Sequence, residues 1–183
     1  MSDALRKVYE QEGQLANFFE KAVPADLFRR RNVGDKTPIM QPTIIGFGKD
    51  DKPRPPDIML RDERGNTPQY NAEGMVRESN SKPVTKQLIS DASKYVVQGC
   101  RTTKGDFRGV STFDMMNPRA KGVEWFYIPE GTEIPPALAI TRDGRKMPGQ
   151  PLHHTIAPKD NMPFPLFLQH LKGFEAALKN MQG

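Results

Sequence analysis

Cysteine and long apolar stretches are nearly missing from this sequence. Cys100 is the one cysteine among 183 residues, which excludes an internal disulfide and favours a reducing compartment. We expect its thiol to be buried and unreactive. Apolar runs extend over only a few residues and the mean hydropathy is −0.66, so no segment is expected to span a membrane.

The first twenty residues also lack the features of a secretory signal. They contain Glu10, Glu12 and Glu20, which do not fit the basic and apolar regions of a signal peptide of the usual kind. We therefore expect a cytoplasmic protein, and its delivery into a target cell by another route is left open.

Basic residues outnumber acidic ones, yet no nucleic-acid-binding motif accompanies them. There are 27 lysine and arginine residues against 22 aspartate and glutamate residues, for a net charge of +5. Apart from the arginine run at 29–31 the charges are scattered, which favours a mixed surface over a nucleic-acid interface. No metal site is predicted, since the histidines are limited to His153, His154 and His170 and no cysteine cluster exists.

The predicted elements alternate between helices and short strands. With 17 prolines and 15 glycines the chain is rich in loops and does not fit a bundle of long helices. Apolar periodicity predicts helices at residues 3–22, 85–99 and 163–181. Strands are predicted at 26–31, 123–128, 137–141 and 152–157, with a turn at 142–145. This pattern indicates an α+β fold in one domain.

Three separated segments carry side chains that suit a binding site. Arg29 follows two apolar residues, and its guanidinium matches planar anions, although a solvated surface arginine is equally compatible. Residues 109–114 present small hydroxyls beside a glycine that permits close approach, or they form an ordinary turn into a strand. His153 and His154 occupy adjacent strand positions and face opposite sides, so one of them can enter a pocket.

Three strings between Gly109 and Pro158 resemble one known protein family. They are Ser111-Thr112-Phe113-Asp114, then Ile-Pro-Glu-Gly-Thr-Glu-Ile-Pro-Pro-Ala-Leu at 128–138, and His153-His154-Thr155-Ile156-Ala157-Pro158. The family is that of NAD-dependent toxins with an ADP-ribosyltransferase-like fold, whose founding member is a cytoplasm-acting effector of the bacterial type VI secretion system. The middle string is the most specific, Arg29 resembles the family's first-strand arginine, and residues 56–58 resemble a shared segment. The match covers about a third of the chain.

This resemblance implies both a fold and an activity. The fold would be a split antiparallel sheet of short strands with N-terminal, central and C-terminal flanking helices. Residues 1–183 would form a single toxin domain, with the helix in residues 1–23 as an addition. The toxin would bind NAD as its substrate and either transfer ADP-ribose to an unknown macromolecular acceptor or hydrolyse NAD. An immunity protein that plugs the cleft is the implied partner, and no membrane partner is expected.

The resemblance also implies roles for particular residues. Catalytic roles fall to Arg29, Ser111, Thr112 and His153, and these four together with Phe113 would bind NAD. Arg29 would hold the phosphates or ribose, while Ser111 and Thr112 would hydrogen-bond to the ribose and brace the pocket. Phe113 would pack against nicotinamide or else fill the core. His153 takes the family's histidine position, where imidazole donates to ribose hydroxyls or shuttles a proton.

The sequence departs from the wider transferase pattern in its glutamates. Many ADP-ribosyltransferases end with Glu-x-Glu or Gln-x-Glu on a late strand, and no late string of this kind exists here. The Glu-Gln-Glu at 10–12 precedes the arginine strand and fits a solvated helix face, while Glu124, Glu130 and Glu133 are candidates by sequence proximity alone. The catalytic acid is therefore unassigned. A non-catalytic nucleotide- or protein-binding module on the same fold is the alternative, and a basic nucleic-acid binder is a distant third.

Overall fold

A computed structural model describes most of the second half of the chain and parts of the first half. It describes residues 18–36, 38–42, 96–101 and 109–181, together with the backbone of six short segments at 46–47, 53–54, 60–61, 69–70, 76–78 and 82–83. No helix within these ranges is long and apolar enough to cross a membrane. Cys100 is buried, as the sequence predicts.

Antiparallel strands dominate the described chain, and seven of them form one large sheet. It contains β1 (Phe18–Phe19), β2 (Leu27–Asn32), β10 (Val110–Phe113), β11 (Val123–Ile128), β12 (Leu138–Thr141), β13 (His153–Pro158) and β15 (Lys179–Asn180). Their order is β1-β12-β13-β10-β2-β11-β15. The remaining strands are β3 (Gly46–Phe47), β4 (Pro53–Arg54), β5 (Leu60–Arg61), β6 (Gln69–Tyr70), β7 (Val76–Glu78), β8 (Lys82–Pro83), β9 (Val96–Val97) and β14 (Met162–Pro163). They pair as β14-β9-β5, β3-β4 and β6-β7-β8.

The large sheet consists of two well-paired halves that meet at a narrow junction. β10 pairs with β13 at four register positions and β2 pairs with β11 at six. β10 and β2 pair at one position, between Phe113 and Phe28. The two halves are thus joined through a single ladder position, and we refer to this junction of β10 and β2 as the split. The expected α+β class with antiparallel strands agrees with this arrangement.

One face of the sheet is covered by the C-terminal helix α1 (Phe164–Phe174). The buried stripe of this helix joins the core side chains of the strands in a single hydrophobic cluster. The helix residues in it are Phe164, Phe167, Leu171 and Phe174. Their spacing of three and four residues places them on one side of the helix, as the sequence predicts.

The predicted end of this helix is wrong. The helical pattern was expected to run to residue 181, but α1 ends at Phe174 and a 3-10 turn follows at Glu175–Ala177. The chain then becomes β15, in which Lys179 pairs with Tyr127. Pairing with the free side of β11 satisfies backbone groups that would otherwise lie at the sheet edge, and this outweighs the local periodicity.

The two other predicted helices are not shown by the structure. Residues 3–17 of the first and 85–95 of the second lie outside the described residues. The ends that are described are strands, since Phe18–Phe19 pairs with β12 and Val96–Val97 pairs with β5 and β14. Short apolar runs fit a strand as well as a helix, and here the neighbouring strands decide between them.

Gly109 is required by the close packing of β10 against β13. A Cβ atom at this position would lie 1.8 Å from the carbonyl oxygen of Ile156. We expect Gly109→Ala to lower the free energy of unfolding by about 3 kcal/mol or more, because the clash is with backbone that cannot move aside without breaking the strand pair. Denaturant unfolding monitored by circular dichroism measures this loss.

The matched control is Gly173→Ala in helix α1, where an added Cβ meets no atom within 4 Å. This change is expected to leave stability unaltered or raise it by up to about 1 kcal/mol, since alanine favours helix. Equal unfolding midpoints for the two variants would contradict the steric argument at Gly109.

Candidate active site

Ser111 and His153 meet on the face of the sheet opposite helix α1. In the antiparallel pair of β10 and β13, Phe113 is opposite His153 and Ser111 is opposite Thr155, so these four side chains lie on one face. The Ser111 Oγ atom lies 2.5 Å from Nε2 of His153. A hydroxyl and an imidazole at this distance are hydrogen-bonded, which is the arrangement by which a histidine activates an oxygen nucleophile.

The neighbouring residues explain why this part of the face stays accessible. His153, Thr155 and Ala157 follow one another on the same side of β13. Ala157 is buried and packs with Cys100 and Ala139, whereas His153 and Thr155 are half-buried. His153 and Thr155 therefore lie just beyond the buried cluster of Cys100, Ala139 and Ala157.

Asp143 completes the group from the turn between β12 and β13. Its Oδ2 accepts a hydrogen bond from Nδ1 of His153 at 2.8 Å. The hydroxyls of Thr141 and Thr155 each donate to the same carboxylate at 2.6 Å. Burial raises the pKa of Asp143, but the hydrogen bonds from His153, Thr141 and Thr155 outweigh it and leave that pKa below its usual value.

Sequence reasoning missed Asp143 because it treated residues 142–145 as a plain turn. A signal was available, since two successive predicted strands, here joined by residues 142–151, can pair as a hairpin. In that hairpin the residues after β12 come next to the start of β13, and the backbone N–H of Asp143 donates to the carbonyl of His153 at 3.0 Å. The pairing of an acidic turn residue with a histidine at the strand start follows from that topology.

Arg29 lies at the split and binds backbone rather than bulk solvent. Its guanidinium donates to the carbonyl oxygens of Ser111 at 2.8 Å and Gln41 at 3.0 Å, and its Nε donates to that of Ile39. The interpretation as a solvated surface arginine is therefore wrong. The structure brings Arg29 to the backbone of Ser111, and this hydrogen bond links β2 to β10.

Thr112 lies on the other side of β10 from Ser111. Its side chain is 1% exposed and its hydroxyl donates to the carbonyl of His154 at 2.8 Å. The structure therefore does not bring the Thr112 hydroxyl together with the side chains of Ser111 and His153. It links β10 to β13 from within the core.

His154 is buried on that same side, which agrees with the expected opposite orientation of the two histidines. Its Nδ1 lies 2.8 Å from the carbonyl oxygen of Thr141, so this nitrogen carries the proton and donates. Burial lowers the pKa of His154, although that hydrogen bond and the charges of Asp114 and Asp143 act against it. A neutral buried imidazole fits a structural role.

Phe113 flanks the site and does not fill the core. Its side chain is 39% exposed, and its ring centroid lies 5.1 Å from that of His153. The alternative in which this ring packs in the interior is therefore wrong. Asp114, the next residue, accepts from the backbone N–H of Leu152 and from Lys146, both at 2.7 Å, and so fastens the connection that carries Asp143.

The glutamates suggested by sequence proximity have other contacts. Glu124 forms an ion pair with Arg31, with 3.1 Å between Oε2 and Nη2. The guanidinium of Arg31 also lies over the ring of Phe126. The backbone of Glu133 forms a bridge with Ala22. Within the described part of the chain, no group of three histidine, cysteine or acidic residues could hold a metal ion.

Comparison with known proteins gives one clear match. No curated protein matches the chain in sequence. A family model described as "Tse2 ADP-ribosyltransferase toxin" matches residues 26–182, a span that contains β2 through β15. This span contains Arg29, Ser111, Asp143 and His153 and leaves the first 25 residues outside. The chain belongs to the Tse2 ADP-ribosyltransferase toxin family, which confirms the resemblance carried by the three sequence strings.

Proposed function

We propose that this chain is an intracellular toxin that binds NAD beside the split in its sheet and transfers ADP-ribose to a cellular target or hydrolyses NAD. Family membership supports the class of chemistry. The observation that carries the proposal for this chain is the contact of 2.5 Å between Ser111 Oγ and His153 Nε2. Delivery by a type VI secretion system and capture by an immunity protein are parts of the same proposal.

The reaction needs a site that stabilises a sugar cation and prepares an oxygen nucleophile. When the bond between nicotinamide and ribose breaks, nicotinamide leaves as a neutral base and the ribose takes on oxocarbenium character. A hydroxyl of the target, or water, then forms the bond to C1′ and loses its proton. His153 Nε2 is placed to receive that proton, directly or through the Ser111 hydroxyl.

The surrounding residues would hold the substrate in place. The half-exposed ring of Phe113 offers a flat apolar surface for nicotinamide next to the imidazole. Arg29 binds three backbone carbonyls, so in this proposal it shapes the wall of the cleft by fixing Ser111 and residues 39–41. Thr112 would support the site from the core by joining its two strands.

A second candidate is a module that binds a nucleotide or protein without turnover. The observation that favours it is the position of Glu124, which pairs with Arg31 instead of with a residue of the Ser111–His153 pair. Without a glutamate at the reacting sugar, binding need not lead to cleavage. NAD titration by calorimetry with no product formed would support this second function.

Incubation of the purified chain with NAD, and its expression inside cells, test the main proposal. Release of nicotinamide with free ADP-ribose indicates hydrolysis, whereas ADP-ribose adducts on cellular macromolecules indicate transfer. Co-expression of an immunity protein that binds this chain should suppress either effect. A chain that neither lowers NAD nor forms adducts nor binds NAD would contradict the proposal.

A further inference from the structure

The carboxylate of Asp143 is almost fully used by hydrogen bonds within the protein. Oδ1 accepts from the hydroxyl of Thr141, and Oδ2 accepts from the hydroxyl of Thr155 and from Nδ1 of His153. The side chain is 33% exposed and that of His153 is 35% exposed. With its oxygens occupied in this way, the carboxylate is placed to act on the imidazole and not on a bound sugar.

These contacts determine which nitrogen of a neutral His153 carries the proton. An ionised carboxylate only accepts hydrogen bonds, so the partner nitrogen Nδ1 must donate. Nε2 is then unprotonated and accepts from the hydroxyl of Ser111. The two hydroxyls that donate to Asp143 favour its ionised form and hold it in position, because hydrogen bonds donated to a carboxylate stabilise its negative charge.

We propose that Asp143 is a positioning residue that holds His153 in the tautomer whose Nε2 can take a proton from Ser111 or from the attacking oxygen. It does not replace the catalytic glutamate that the sequence left unassigned, since it acts through the imidazole without touching the substrate. The same division of roles, in which an acid orients a histidine that serves a hydroxyl, occurs in serine hydrolases on unrelated folds. For its effect on catalysis this inference rests on the proposed function, whereas its effect on the tautomer does not.

The tautomer is measured in the full chain by long-range proton–nitrogen NMR of the histidine rings. In the unmodified protein we expect His153 in the Nδ1–H form at a pH where the ring is neutral. In Asp143→Ala this form should fall from dominant to a minority, because Nδ1 loses its acceptor. An unchanged Nδ1–H signal in Asp143→Ala would overturn the proposal.

Two matched variants separate positioning from bracing of the hairpin. Thr155→Val removes one donor to the carboxylate but keeps the contact between Asp143 and His153, so the Nδ1–H form should persist. Asp160→Asn changes an exposed aspartate that pairs with Arg101 at 3.5 Å, and should have no effect. If Thr155→Val shifts the tautomer as much as Asp143→Ala does, Asp143 only braces the hairpin and the proposal fails.

Turnover of NAD gives the second measurement. Asp143→Asn is expected to lower kcat by about 10- to 100-fold with KM changed by less than about 3-fold, since an orienting acid contributes to proton transfer and not to binding. Equal kcat in Asp143→Asn and the unmodified chain would overturn the proposal. If the unmodified chain does not cleave NAD at all, the proposed function fails, and the NMR result still decides the role of Asp143.

Discussion

Replacement of Ser111 or His153 with alanine is expected to abolish the toxicity of this chain on intracellular expression. Each change removes one side of the Ser111–His153 contact, through which a proton leaves the attacking oxygen in the proposed reaction. Loss of a general base costs about 10²- to 10⁴-fold in rate. Cellular NAD content and ADP-ribose adducts, compared at equal protein levels, measure the effect.

His170→Ala is the matched control for His153, because His170 lies on helix α1, away from the pair. His154→Ala is a poor control, since His154 is buried and hydrogen-bonded and its loss should lower stability. We still expect His153→Ala to impair activity more than His154→Ala at a temperature where both variants are folded. Full toxicity of both Ser111→Ala and His153→Ala would remove this pair from the reaction.

Arg29→Ala is expected to destabilise the fold and to lose NAD binding with it. The change leaves three backbone carbonyls without their charged donor, at the point where the two halves of the sheet separate. Hydrogen bonds from charged groups contribute about 1.5–3 kcal/mol each and are not additive, so a loss of about 3 kcal/mol or more is expected. Arg29→Lys should rescue little, because one ammonium group cannot span three acceptors.

The neighbouring Arg30 provides the control for this second prediction. Arg30 is exposed, and Arg30→Ala should change the free energy of unfolding by less than about 0.5 kcal/mol. Urea unfolding of the two variants gives the comparison, and calorimetric titration with NAD at a temperature where Arg29→Ala is folded separates binding from stability. Equal unfolding midpoints for Arg29→Ala and Arg30→Ala would show that the contacts of Arg29 with the carbonyl oxygens do not stabilise the fold.

The central strands were predictable because their local patterns are strong. The run at 123–128 was predicted with the bounds that the structure shows. The strands around Arg29 and His153 are shifted by one residue at both ends, and the strand around Ile140 begins one residue later than predicted. Aromatic and β-branched residues bounded by proline and glycine leave little choice of structure in these segments. The opposite orientation of His153 and His154 follows from the same alternation.

The end of the last helix shows where local patterns lose their force. Leu178 and Met181 continue the helical periodicity, but the backbone N–H of Met181 donates to the carbonyl of Trp125 at 3.0 Å. Met181 is 42% exposed and so gains nothing from the helical stripe. A free strand edge elsewhere in the molecule decided this segment, and no property of residues 175–181 alone reveals it.

The sequence by itself indicated an α+β fold, the protein family, and three separated segments that carry Arg29, Ser111 and His153. These depend on residue type and spacing, which are local properties. The split between β2 and β10, the binding of Arg29 to backbone and the placement of Asp143 against His153 were decided only by the tertiary structure. They depend on strand order and register, which bring together residues that lie far apart in the chain or in an unremarkable turn.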